Sequence, residues 1–155
     1  MTFITHEKVY QTMKSGYRII LIIWTIMMIT LSSVPGLSPP PGLPTTSDKV
    51  VHFIEYAIWA FLFLSMLKQE NRIDNVWNSF RTTLLLGVIF GLLDEIHQGF
   101  IPGRERDMLD LLADFGGLLL TSVIFSLVYQ IKDGRMRRQK LNSSRRSLEQ
   151  TKNGD

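Results

Sequence analysis

The chain has no cysteine in its 155 residues. Disulfides, thiolate metal ligands and cysteine nucleophiles are therefore excluded, and the redox compartment cannot be read. Histidine is scarce, confined to His6, His52 and His97. Proline is nearly absent outside one stretch: all but one of the six lie in residues 34–46, VPGLSPPPGLPTT. There is no internal repeat, and the length allows one domain with tails. Charge is thin in the middle of the chain and gathers at the ends and in short connections, leaving long apolar runs between them.

Those runs set the fold class. A hydrocarbon core needs roughly 20 predominantly apolar helical residues, and four stretches qualify: about 17–34, 50–67, 82–100 and 108–131. A cleaved leader would want an A-x-A-like site after the first run; Ser-Ser-Val-Pro-Gly stands there instead, so the first helix is expected to stay. With the N-terminus cytoplasmic, fourteen of the 17 Lys and Arg fall on that side, and only Lys49, Arg104 and Arg106 on the other. The positive-inside rule then puts both ends in the cytoplasm. The expectation is an all-α integral membrane four-helix bundle with both termini cytoplasmic. It comprises an N-terminal segment (1–16), a four-span domain (17–131) and a basic tail (132–155) expected to be disordered. The proline-rich stretch is expected to be an extended, semi-rigid outer loop, and 99–106, GFIPGRER, a tight turn between helices three and four.

Ionisable residues inside spans are costly and mark function. On helix two, Asp48, His52, Glu55 and Trp59 share one face; on helix four, Asp107, Asp110, Asp114 and Gly117 do. On helix three, Gly87, Gly91, Asp94 and Gln98 repeat that spacing, with Glu95 about 100° and His97 about 60° to either side of Asp94. Every stripe lies at the expected outer end. Facing lipid, seven acidic side chains would each cost roughly 2.5–3.5 kcal/mol, so the stripes must meet. An outward-open polar cavity follows, floored by Glu55, Asp94 and Asp114. Lys49, Arg104 and Arg106 are the expected counterions, joined by His52 or His97 when protonated. His52-x-x-Glu55 and Asp94-x-x-His97 offer N and O ligands for Zn, Mn or Fe. No complete ligand set is legible, however, and no cofactor is expected.

Three motifs carry a resemblance. They are Asp48-Lys49-x-x-His52-Phe53-x-x-Tyr56, then Gly91-x-x-Asp94-Glu95-x-x-Gln98-x-Phe100-x-Pro102-Gly103-Arg104, then Asp107-x-x-Asp110-x-x-x-Asp114-x-x-Gly117. Together they resemble the VanZ-like membrane protein family over about residues 33–121. One departure is Asp114, where the family pattern usually has Asn; it adds a charge to the cavity floor.

The resemblance implies a small multi-pass protein of the bacterial plasma membrane, from a family linked to resistance to glycopeptide antibiotics, teicoplanin especially. It joins the residues in two readings. In the first, the cavity binds a lipid-linked cell-wall precursor or a lipoglycopeptide, using Asp48, Lys49, Glu55, Gln98, Arg104, Asp107, Asp110 and Asp114. In the second, an intramembrane enzyme modifies a lipid head group or envelope precursor, with Asp94, Glu95 and His52 as acid–base candidates. Whether the protein is an enzyme stays open at this point. Four helices are few for transport. The tail would attract anionic membrane lipids, and nucleic acid is not expected, because the basic residues adjoin a span and lack interleaved aromatics.

Overall fold

A computed structural model describes residues 6–35, 47–70, 72–73, 75–104 and 106–152, with side chains described between 16 and 146. These residues form four α-helices and no strand: α1 His6–Ser32, α2 Ser47–Gln69, α3 Val76–Gln98 and α4 Met108–Lys152. The all-α architecture agrees with the sequence. α2, α3 and the Met108–Arg146 part of α4 are long and apolar enough to cross a membrane. The described apolar part of α1, Gly16–Ser32, is shorter and sits at the lower edge of spanning length. Most of the proline-rich stretch, 36–46, lies outside the described residues.

Packing is inverted relative to a water-soluble bundle. Ile23, Leu85, Leu93, Leu112 and Leu127 are each more than half exposed, while Thr83, Asp114 and Ser122 are fully enclosed. An apolar outside and a partly polar inside suit lipid surroundings, where helices associate through close packing and hydrogen bonds. A small apolar core remains, centred on Leu21, Met28, Tyr56, Trp59, Ala60 and Leu118. Trp59 stacks on Phe63 and Phe90, with ring centres 5.2 and 6.1 Å away. Its Nε1 donates to Thr25 Oγ1 at 3.2 Å, and Trp24 Nε1 donates to the Glu55 carbonyl at 3.1 Å. These bonds tie α1 to α2. At the far end, Arg18 and Arg72 both pair with Glu70.

α2 and α4 come closest at Gly117. A Cβ built there would stand 2.2 Å from the Phe53 carbonyl oxygen, so only glycine admits this approach of two backbones. α3 and α4 are joined by the expected turn. Pro102 and Gly103 occupy its centre, Gly103 at φ 78°, and Arg104 N donates to Ile101 O at 3.1 Å. Proline before a positive-φ glycine is the signature of a type II turn.

The tail departs from expectation. It is helical through Lys152, continuous with α4. An established helix extends with one hydrogen bond per residue fixed, and Met, Arg, Gln, Lys and Leu are good formers. Asp133 and Arg137, one turn apart, pair at 2.8 Å. The N-terminal segment is likewise helical from His6 onward.

Candidate functional site

The antiparallel order of α2, α3 and α4 brings the start of α2, the end of α3 and the start of α4 to one end of the bundle, which also holds the end of α1. The acidic stripes meet there. Lys49 is the hub of the outermost layer: its Nζ donates to Asp107 Oδ2 at 2.6 Å and to Asp110 Oδ1 at 2.8 Å, with Asp48 Oδ2 at 3.5 Å.

Asp107 has three tasks. Its Oδ1 accepts from Leu109 N at 2.8 Å, which caps α4, and its own backbone N–H donates to Glu95 Oε2 at 2.9 Å. Its third partner is Lys49. The Lys49 ammonium, together with the Leu109 N–H, holds the Asp107 carboxyl below the usual carboxylate range.

One turn deeper, His52 Nδ1 lies 3.0 Å from Asp114 Oδ1. Both are buried, as are Glu95 and Asp110. Two buried oxygens in this layer have no hydrogen-bond partner: Glu95 Oε1 and Asp114 Oδ2. Exposure falls steadily with depth, from 39% for the Asp107 side chain through 20% for Lys49 and 7% for Asp110 to 1% for Asp114. Among the described residues the expected open cavity is thus a packed polar cluster with an exposed rim and a buried floor. Glu55 is half-buried, within charge range of His52, Asp94, Asp114 and Arg104. Tyr56, completely enclosed, has an unpartnered hydroxyl; the sequence placed it only within a motif.

Several placements correct the sequence reading. The buried edge of α3 is Ser79, Thr83, Gly87, Gly91, Glu95 and Gln98. Glu95, not Asp94, therefore enters the cluster, because these small residues follow a four-residue ridge rather than the ideal 3.6-residue period. Asp94 stays half-buried, its Oδ2 accepting from Gln98 Nε2 at 3.0 Å. Among the described residues Arg104 and Arg106 form no direct ion pair with the acidic stripes, although the charge of Arg104 reaches Glu55. Arg104 donates to the carbonyls of Leu31 at 3.0 Å and Val34 at 3.5 Å, satisfying the frayed end of α1. Arg106 lies over the Phe100 ring at 5.5 Å. His97 is exposed and bonds Ser33 Oγ at 2.9 Å, so the Asp94-x-x-His97 pair does not converge on the cluster.

A separate apolar cavity of about 840 Å³ runs toward the tail end, lined by Ile54, Phe61, Ile124 and Val128, with Lys68 and Lys132. It shares no residue with the polar cluster.

The uncharacterized protein C11E3.10 of Schizosaccharomyces pombe is 26% identical over 115 residues, covering 74% of this chain and 68% of that protein. No solved structure matches the chain. The family model described as VanZ/LLP1 matches residues 1–129, the span that contains α1, α2, α3, the polar cluster and the first half of α4; this chain belongs to the VanZ/LLP1 family.

Proposed function

We propose that the polar end binds the head group of a membrane-embedded molecule, a lipid-linked envelope component or a lipoglycopeptide, and so contributes to antibiotic response. The observation that carries this reading is the fall in exposure from Asp107 to Asp114, which lets a head group reach charged side chains at the rim without opening the bundle. Lys49 is engaged by three carboxylates and Arg104 by the carbonyls of α1, so a phosphate clamp would have to displace bonds already made. The carboxylate-rich rim favours a head group bearing hydroxyl, amide or amine donors. Asp48, Lys49 and Asp107 are the first contacts, and Gln98 and Glu55 lie deeper. The Lys and Arg distribution supports a multi-pass orientation in a bacterial plasma membrane with both termini inside. The yeast relative favours a head-group chemistry not restricted to bacterial cell walls.

The test is mass spectrometry of lipids retained after gentle extraction, comparing the wild type with Asp48→Asn/Asp107→Asn. A species enriched in the wild type and lost in the variant supports the reading. Identical retained lipids, with teicoplanin susceptibility unchanged by expression, overturn it.

The His52–Asp114 pair favours a second reading, acid–base chemistry on the same head group. A carboxylate on Nδ1 fixes the tautomer and leaves Nε2 free to take a proton. A lipid species that changes in mass with the wild type but not with His52→Gln would select this reading over binding alone.

A further inference from the structure

Three side chains in the deeper layer of the polar end, among them the His52 of the acid–base reading, come together in a way that head-group binding does not require. One ligating atom each from His52, Glu95 and Asp110 lies within 4.8 Å of the other two, and all three residues are buried. They come from three different helices, α2, α3 and α4. We propose that His52, Glu95 and Asp110 form a divalent-cation site of the Mn2+–Zn2+ class, with Asp114 as the positioning residue for His52.

Three observations support this assignment. First, the bonds already made leave one ligating atom on each residue. Asp110 accepts from Lys49 through Oδ1, and Glu95 accepts from Asp107 N through Oε2. His52 uses Nδ1 on Asp114. Asp110 Oδ2, Glu95 Oε1 and His52 Nε2 remain. Second, Glu95 is only 7% exposed and its Oε1 has no hydrogen-bond partner. A buried carboxylate oxygen left bare is costly, and a cation satisfies it. Third, an imidazole whose far nitrogen is held by a carboxylate is the usual arrangement behind a metal-bound histidine. Asp114 supplies that carboxylate.

Charge argues the same way. Among the described residues this end carries Asp48, Glu55, Asp94, Glu95, Asp107, Asp110 and Asp114. Lys49 and His52 are the basic side chains bonded to them, and Arg104 adds a charge that reaches Glu55, which still leaves more acids than cations. Metal–ligand bonds of about 2.0–2.2 Å put neighbouring ligand atoms roughly 3–4 Å apart, so atoms now within 4.8 Å of one another need to close by at most about 1–2 Å. One nitrogen and two oxygens suit Mn2+, Fe2+ or Zn2+ better than Ca2+ or a thiophilic ion. Water or a head-group oxygen would complete the coordination shell.

The assignment does not depend on the head-group reading, since metal can be bound with no lipid retained and lipid with no metal. The test uses the full chain, purified without a polyhistidine tag, stripped with a chelator, and equilibrated with Mn2+ or Zn2+ before gel filtration and elemental analysis. About one ion per chain is expected. His52→Ala and Glu95→Gln are each expected to weaken uptake by at least tenfold, the scale of losses at metal sites. Asp133→Asn, on the tail helix, leaves uptake unchanged. Asp114→Ala weakens it, and Asp114→Asn, which keeps an oxygen for His52, restores most of it. With Mn2+, electron spin echo spectra show nitrogen modulation that disappears in His52→Ala. Stoichiometry well below one for both ions in the wild type overturns the proposal, and that measurement requires no variant to fold. Unchanged uptake in a folded Glu95→Gln protein also overturns it.

Discussion

Gly117 of α4 rests against the backbone of Phe53 on α2, with no room for a Cβ between them. His52 precedes Phe53, and Asp114 lies one turn before Gly117. The glycine contact therefore sets the distance across which His52 and Asp114 bond.

Gly117→Ala is expected to lower stability by about 1–3 kcal/mol, the cost of forcing extra volume into a packed contact. Gly116→Ala is the matched control. Its Cβ would meet only the Phe53 ring at 3.4 Å, an ordinary contact, so its unfolding should match the wild type. Unfolding of both variants in detergent, followed by circular dichroism, checks the difference. Equal midpoints for the two would show that the approach at residue 117 is not tight.

Acid should remove the contribution of Asp107. Its carboxyl is held below the usual range by Lys49 in the fold. Its share of stability is therefore present at neutral pH and lost as pH falls below about 4, the free Asp value, and through the lowered folded one. Asp107→Ser keeps a helix cap but removes the ion pair with Lys49. The melting temperature of the variant should lie below that of the wild type at pH 7, and the gap should narrow on acidification toward pH 3. A gap that is constant with pH would mean that the Lys49–Asp107 pair contributes nothing.

Much of this is legible in the sequence. Apolar run length identified the helices, and four-residue and seven-residue spacings put Asp48, His52, Asp107, Asp110 and Asp114 on facing edges. The choice between Asp94 and Glu95 was not legible. Adjacent residues differ by only 100° of arc, and the inclination of α3, set by its small-residue ridge, decides which one faces inward. The partners of Arg104 were also hidden, because the carbonyls of Leu31 and Val34 are backbone atoms that no side-chain pattern reveals. The helical tail was not legible either, because its polar, basic composition does not show that an established helix leads into it.

Topology can be tested by labelling, since the chain has no cysteine of its own. Phe100→Cys, at an exposed position beside the α3–α4 turn, should react with a membrane-impermeant maleimide on intact cells. Ser143→Cys, exposed on the tail helix, should react only after permeabilisation. The reverse pattern would invert the orientation and move the polar end to the cytoplasm.

Deleting residues 134–155 should leave the bundle unfolding as before. Side chains 135–146 are exposed, and loss of exposed terminal structure costs a fold little. A lowered midpoint for the shortened chain would mean that the tail supports the bundle.

The tail belongs to the same unbroken helix that begins at the polar end. At 1.5 Å per residue, α4 is about 67 Å long, roughly twice a bilayer's hydrocarbon depth. A rod of that length works as a lever. A tilt of about 10° pivoted at Asp107 would swing its far tip by about 12 Å, so any change of angle at the Lys49 end would be multiplied at the other end of the rod.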